Sequence, residues 1–80
     1  MQKYISIIVT VLDKSNSNSD VYISTDLMAC LSRIMKQYQE FTVAHKLVAT
    51  FADINPDSNT FSFTGKNFAF HATITEIPLI

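Results

Sequence analysis

The sequence predicts an α+β fold: a four- or five-stranded, mainly antiparallel sheet with one amphipathic helix packed on one face. Three features carry this expectation. A β-branched run opens the chain, a single segment near the middle repeats its apolar residues at helical spacing, and phenylalanines alternate on both sides of the only glycine.

Residues 3–12 form the first predicted strand. Ile5, Ile7, Val9 and Val11 fall on one face, and Tyr4, Ser6, Ile8, Thr10 and Leu12 on a more mixed one. Residues 14–20 are serine, asparagine, one lysine and one aspartate, and read as a polar loop. Residues 21–23, Val-Tyr-Ile, are either a short strand or the apolar lead-in to the helix.

The helix is the best-defined element. Ser24 or Thr25 is a suitable cap, with Asp26 in the first turn. At 100° per residue, Leu27, Leu31, Ile34, Tyr38 and Phe41 share a narrow band. Met28, Cys30 and Met35 widen it to an arc of roughly 160°. Arg33, Lys36, Gln37, Gln39 and Glu40 occupy the far side. Val43 and Leu47 break the pattern, which places the helix end near Thr42.

A meander follows. Residues 47–54 read as a strand, the Asn55-Pro56-Asp57-Ser58-Asn59 stretch as a turn, and residues 60–64 as the next strand. Gly65-Lys66 has the form of a two-residue type II′ turn. That turn would set Thr64 against Asn67, Phe63 against Phe68 and Phe61 against Phe70. Four phenylalanines then line one face, with Phe51, Ala72 and Ile74 extending it toward the helix.

Eighty residues leave room for one domain, residues 1–80. Six basic against seven acidic side chains give a net charge of −1. A basic stripe for phosphates is missing, as is the acidic excess of a DNA mimic, so nucleic acid is not an expected partner. The opening apolar run is too short to span a bilayer and is followed by Asp13-Lys14 without a small-residue cleavage site. The expectation is a cytoplasmic protein with no membrane partner, and one cysteine fits it.

No motif for catalysis, metal or cofactor emerges. His45 and His71 have no second ligand at metal-binding spacing, and isolated histidines more often serve structure or face solvent. Cys30 sits among apolar helix residues, where a buried small hydrophobe is expected and not a nucleophile. One glycine rules out a Gly-rich phosphate loop. An acid–base pairing of His71 with Asp53 or Glu76 is the weakest reading.

The unusual feature is a surface. With the phenylalanines facing the helix, the opposite sheet face is expected to carry Thr50, Ala52, Thr60, Ser62, Ala69, His71, Thr73 and Thr75. The mixed face of the first strand, with Tyr4, Ser6, Ile8, Thr10 and Leu12, would join it. A sheet face without charge resembles a docking surface more than a solvated one, although threonine is also simply a good strand residue. Tyr4, Ser6, Thr10, Thr50, Thr60, Ser62, His71, Thr73 and Thr75 are therefore the candidate partner-binding residues.

With 48% hydrophobic and 16% charged residues, the chain is expected to bury surface against a protein partner or a second copy. The function expected is a small non-catalytic protein-binding module, an inhibitor or adaptor, acting as a homodimer. Phage and mobile-element products that inhibit host machinery share this size and character. The alternative is an assembly subunit whose role is its own oligomerisation. The apolar tail, residues 77–80, would either cover a core edge or meet a partner.

Overall fold

A computed structural model describes residues 2–78. In chain order it contains β1 (Gln2–Leu12), β2 (Asn16–Ser24), α1 (Leu27–His45), β3 (Phe51–Asn55), β4 (Thr60–Thr64) and β5 (Phe68–Pro78). The five strands form one sheet in the order β2-β1-β5-β4-β3, with every neighbouring pair antiparallel. The expected α+β architecture is present, with five strands and one helix on one face.

The polar segment expected to be a loop is largely strand. Residues 16–24 pair with β1 along its length, from Leu12 opposite Asn16 to Tyr4 opposite Ser24. Only Asp13, Lys14 and Ser15 turn the chain. Asp13 (φ 55°) and Lys14 (φ 62°) both adopt left-handed conformations, as the central residues of a type I′ hairpin turn do. The Asp13 N–H also donates to the Asn67 carbonyl at 2.8 Å, tying this turn to the one between β4 and β5. Serine and asparagine persist in strand form here because β1 supplies a complete ladder partner, while their side chains remain in water.

Helix α1 begins one residue later than the expected caps. Asp26 is the N-cap, and its carboxylate accepts the Met28 N–H at 3.0 Å. Ser24 instead accepts the Asp26 N–H at 3.0 Å. At the other end the helix outlasts its apolar period by a turn. Lys46 takes φ 54°, its N–H donates to the Val43 carbonyl, and the Leu47 N–H reaches the Thr42 carbonyl at 2.8 Å. This is a Schellman closure. Backbone capping carries the last turn, since Val43 is exposed, and Leu47 then packs against the core.

The β4–β5 connection differs from the expected II′ turn. Phe63 pairs with Phe70 and Phe61 with Ala72, and the Gly65 N–H donates to the Phe68 carbonyl at 3.0 Å. Gly65 has no positive φ. It is required for space: a Cβ there would collide with the Phe68 ring and stand 2.7 Å from the Val48 carbonyl oxygen. The register is offset by two residues from the expected one, so the phenylalanines keep a common face. On β3 the offset is odd. Ala52 pairs with Phe63 and Ile54 with Phe61, so these two extend the phenylalanine face, and Phe51 points the other way.

The core consists of Ile8, Cys30, Ile34, Phe68, Phe70, Ala72 and Ile74, with Ser6 buried beside them. Ser6, Cys30 and Ala72 have no exposed surface. Such small residues let helix and sheet approach closely, while Phe70, Ile74 and Ile34 fill the space around them. Arg33 binds Asp20 at 2.9 Å and lies 4.7 Å over the Tyr22 ring, and Gln37 donates to the same Asp20 oxygen at 2.7 Å. These contacts clamp the helix to edge strand β2.

One helix is about 10 Å across, whereas five strands spaced at about 4.8 Å span about 20 Å. Helix α1 lies over β2, β1 and β5, so the inner side of β3 and β4 is only partly roofed. The expectation for the apolar tail extends past the structure: Ile77 and Pro78 belong to β5, and residues 79 and 80 lie outside the described residues.

Candidate functional site

Strand pairing fixes what lies on the sheet face away from the helix. Along β1 it carries Ile5, Ile7, Val9 and Val11; along β2, Val21 and Ile23, each paired with one of these isoleucines. On β5 the same face bears Ala69, His71, Thr73, Thr75 and Ile77. Thr60, Ser62 and Thr64 continue it on β4, and Phe51, Asp53 and Asn55 on β3.

Five of the expected partner-binding residues therefore share this outer face: Thr60, Ser62, His71, Thr73 and Thr75. Four do not. Tyr4, Ser6 and Thr10 belong to the other face of β1, since Ser6 pairs with Ile74, Thr10 with Phe70 and Tyr4 with Glu76. Ser6 is fully buried there. Thr50 precedes β3 and spends its backbone N–H on the Thr64 carbonyl at 2.9 Å, with its hydroxyl directed to the same oxygen. Ala52, also expected outside, lies on the helix side.

The face of β1 expected outside, on the ground that mixed polarity suits solvent, is the covered one. The structure instead buries that face, with Ser6 fully enclosed opposite Ile74 and Thr10 and Leu12 set opposite Phe70 and Phe68. The outer face is in consequence much more apolar than expected. Val21 is 58% exposed, Ile23 56% and Ile7 38%. The residues the sequence reading missed are Ile5, Ile7, Val9, Val11, Val21, Ile23 and Ile77. Their signal was the unbroken branched-aliphatic alternation of β1, repeated at Val21 and Ile23. The face also carries charge, contrary to expectation: Asp53 pairs with Ser62, and Lys3 pairs with Ile77.

Ser62 and His71 are cross-strand partners joined by a 2.9 Å hydrogen bond between Oγ and Nδ1. Asp53 flanks Ser62 from the opposite strand, so it stands beside the hydroxyl and not behind the imidazole. Nucleophilic activation needs the carboxylate to orient the base, an arrangement this order of strands does not provide. Glu76, the other proposed partner of His71, falls on the helix-side face.

Burial, reinforced by the Asp26 carboxylate, pushes the Cys30 thiol above its ordinary range, opposite to what a nucleophile requires. Among the described residues no group of three His, Cys, Asp or Glu side chains converges as metal ligands, and no helix is long and apolar enough to cross a membrane.

A second apolar feature lies on the helix side. Met28, Leu31, Met35 and Tyr38 wall a groove of about 490 Å³ whose floor is Ile54, Phe61 and Phe63. Met28 and Met35 are the flank of the 160° helical arc that the sheet does not cover. Volumes of this size are common for binding clefts.

Comparison with family models, curated proteins and solved structures gives no match. The molecule is thus defined by its own architecture: a small α+β domain whose five-stranded sheet carries its one helix on one side, over β2, β1 and β5, and no element on the other.

Proposed function

We propose that this chain is a non-catalytic protein-binding module, an inhibitor or adaptor that works through surface complementarity. The observation that carries the reading is the bare outer face. Branched aliphatics on β1 and β2 lie next to threonines on β5 and β4, with Lys3 and Asp53 near the margins. An uncovered apolar patch rimmed by polar residues marks an interaction site. The cytoplasmic setting and the likeness in size to phage and mobile-element inhibitors belong to the same proposal.

The test is affinity purification of tagged protein from its native cells, with Val21→Lys as control. A stoichiometric foreign protein, lost with Val21→Lys, supports the module reading. Recovery of the same partners with the variant counts against this face.

The β-branched character of the patch also favours the second reading, an assembly subunit whose role is homo-oligomerisation. Recovery of a large homo-oligomer alone would favour it.

A further inference from the structure

We propose that the occupant of the outer sheet face is a second copy of this chain, packed sheet against sheet. The inference rests on reading that face as an interface and develops the second, homo-oligomeric reading, in which this chain itself and not a foreign protein covers it.

Area is the first argument. The protomer measures 43 × 21 × 19 Å. Its strands of 11, 9, 5, 5 and 11 residues, at about 3.3 Å per residue and about 4.8 Å apart, give the face a projected area of about 650 Å², of the order of the roughly 800 Å² of accessible surface per partner in a standard-size interface. A second copy presents a face of the same dimensions, so neither copy leaves the aliphatic centre partly wet.

Shape is the second. Ile5, Ile7, Val9 and Val11 form a row on β1, flanked by Val21 and Ile23 on one side and Thr73 on the other. These side chains are short and branched, and none makes a long knob that calls for a deep pocket. Their natural complement is another sheet of the same twist. Sheets packed in this way lie about 10 Å apart with strands at about −30°, their inner side chains interdigitating.

Charge is the third. The strand residues of this face include one cation, Lys3 at the start of β1, and one anion, Asp53 on edge strand β3. Lys3 closes the end of the aliphatic row beside Ile5 and Asp53 lies three strands away, so the two charges balance and a copy meets the face without net repulsion. The monomer's own core is small, and the outer aliphatics are similar in number to the core residues. Assembly would give the sheet a second core on its other side.

The experiment is sedimentation equilibrium from low micromolar to near-millimolar concentration on wild type, Ile7→Lys and Val21→Lys. Circular dichroism reports the fold, and an apolar fluorescent dye reports exposed apolar surface. Val21 lies on an edge strand and is more than half exposed, so Val21→Lys keeps the test valid if Ile7→Lys fails to fold. The expected result is a wild-type dimer, with self-association weakened at least about tenfold, or about 1.4 kcal/mol, in each folded variant. A wild-type dimer that persists in the folded variants overturns the proposal by placing the contact elsewhere. A wild type of monomer mass at every concentration also overturns it. In that case, dye binding lost in Val21→Lys preserves the docking face and removes only the second copy, whereas dye binding unchanged by Val21→Lys removes both.

Discussion

Tyr38 stacks on Phe63 with ring centroids 4.2 Å apart and planes 29° apart, and meets Phe70 edge-on at 5.2 Å. This aromatic triplet joins α1 to β4 and β5 where the helix begins to leave the sheet uncovered. Tyr38→Ala should destabilise the fold by about 3–4 kcal/mol, as loss of large aromatic side chains does. Tyr38→Phe keeps the ring and should cost less than about 1 kcal/mol. Urea unfolding of the pair measures the difference, and equal midpoints would remove the stack from the list of important contacts.

Gly65 tests a different kind of constraint. Its necessity comes from the nearby Phe68 ring and Val48 carbonyl, and not from a left-handed backbone. Gly65→Asn should therefore be as damaging as Gly65→Val, each by more than about 2 kcal/mol. Asparagine would be the better tolerated of the two if a positive φ were required. The exposed neighbour Lys66 should accept glycine within about 0.5 kcal/mol. Thermal melts of the three variants separate the explanations.

Asp20 gives the fold a pH signature. Hydrogen bonds from Gln37 and then Arg33 hold its carboxyl below the ordinary value of 3.8. A depressed folded-state value contributes stability that is fully present above the unfolded value and is lost as pH falls through the folded one. Wild type should exceed Asp20→Asn in stability near neutral pH, and the gap should close as pH drops below 3.8. A gap independent of pH would mean that the ion pair contributes nothing through its charge.

Ser6 and Cys30 are fully buried, and among the described residues the Ser6 hydroxyl has no hydrogen-bond partner. Ser6→Ala removes a desolvated group and should raise stability by about 1 kcal/mol. Cys30 should react with a thiol reagent only on unfolding, at a rate set by opening. Rapid modification under native conditions would contradict its burial.

Much of this architecture was legible in the residues. The amphipathic band from Leu27 to Phe41 placed the helix, and the phenylalanine alternation placed the covered face of β4 and β5. An error of two residues in the Gly65 hairpin left that face intact because side chains repeat every second residue. What could not be read depended on partners distant in sequence. Residues 16–20 look like loop until β1 is laid beside them. Ala52 and Phe51 exchange faces once β3 takes its register from β4. The two sides of β1 are both apolar enough to be buried, and only the pairing of Ser6 with Ile74 decides between them. For the candidate site this meant that Thr60, Ser62, His71, Thr73 and Thr75 were found, while the aliphatic row of β1 was assigned to the core side and Val21 and Ile23 to no face.

The pairing of Gln2 with Pro78 places both ends of the described chain on the two adjacent central strands, at the same edge of the molecule. Ladder hydrogen bonds run perpendicular to the strands. Tension applied between these ends would pull along the bonds and open β1 from β5 one rung at a time, so the domain should yield mechanically at low force whatever its thermodynamic stability. The same adjacency suits insertion into a surface loop of another protein or closure by a short linker, with new ends opened at the exposed Pro56-Asp57 turn.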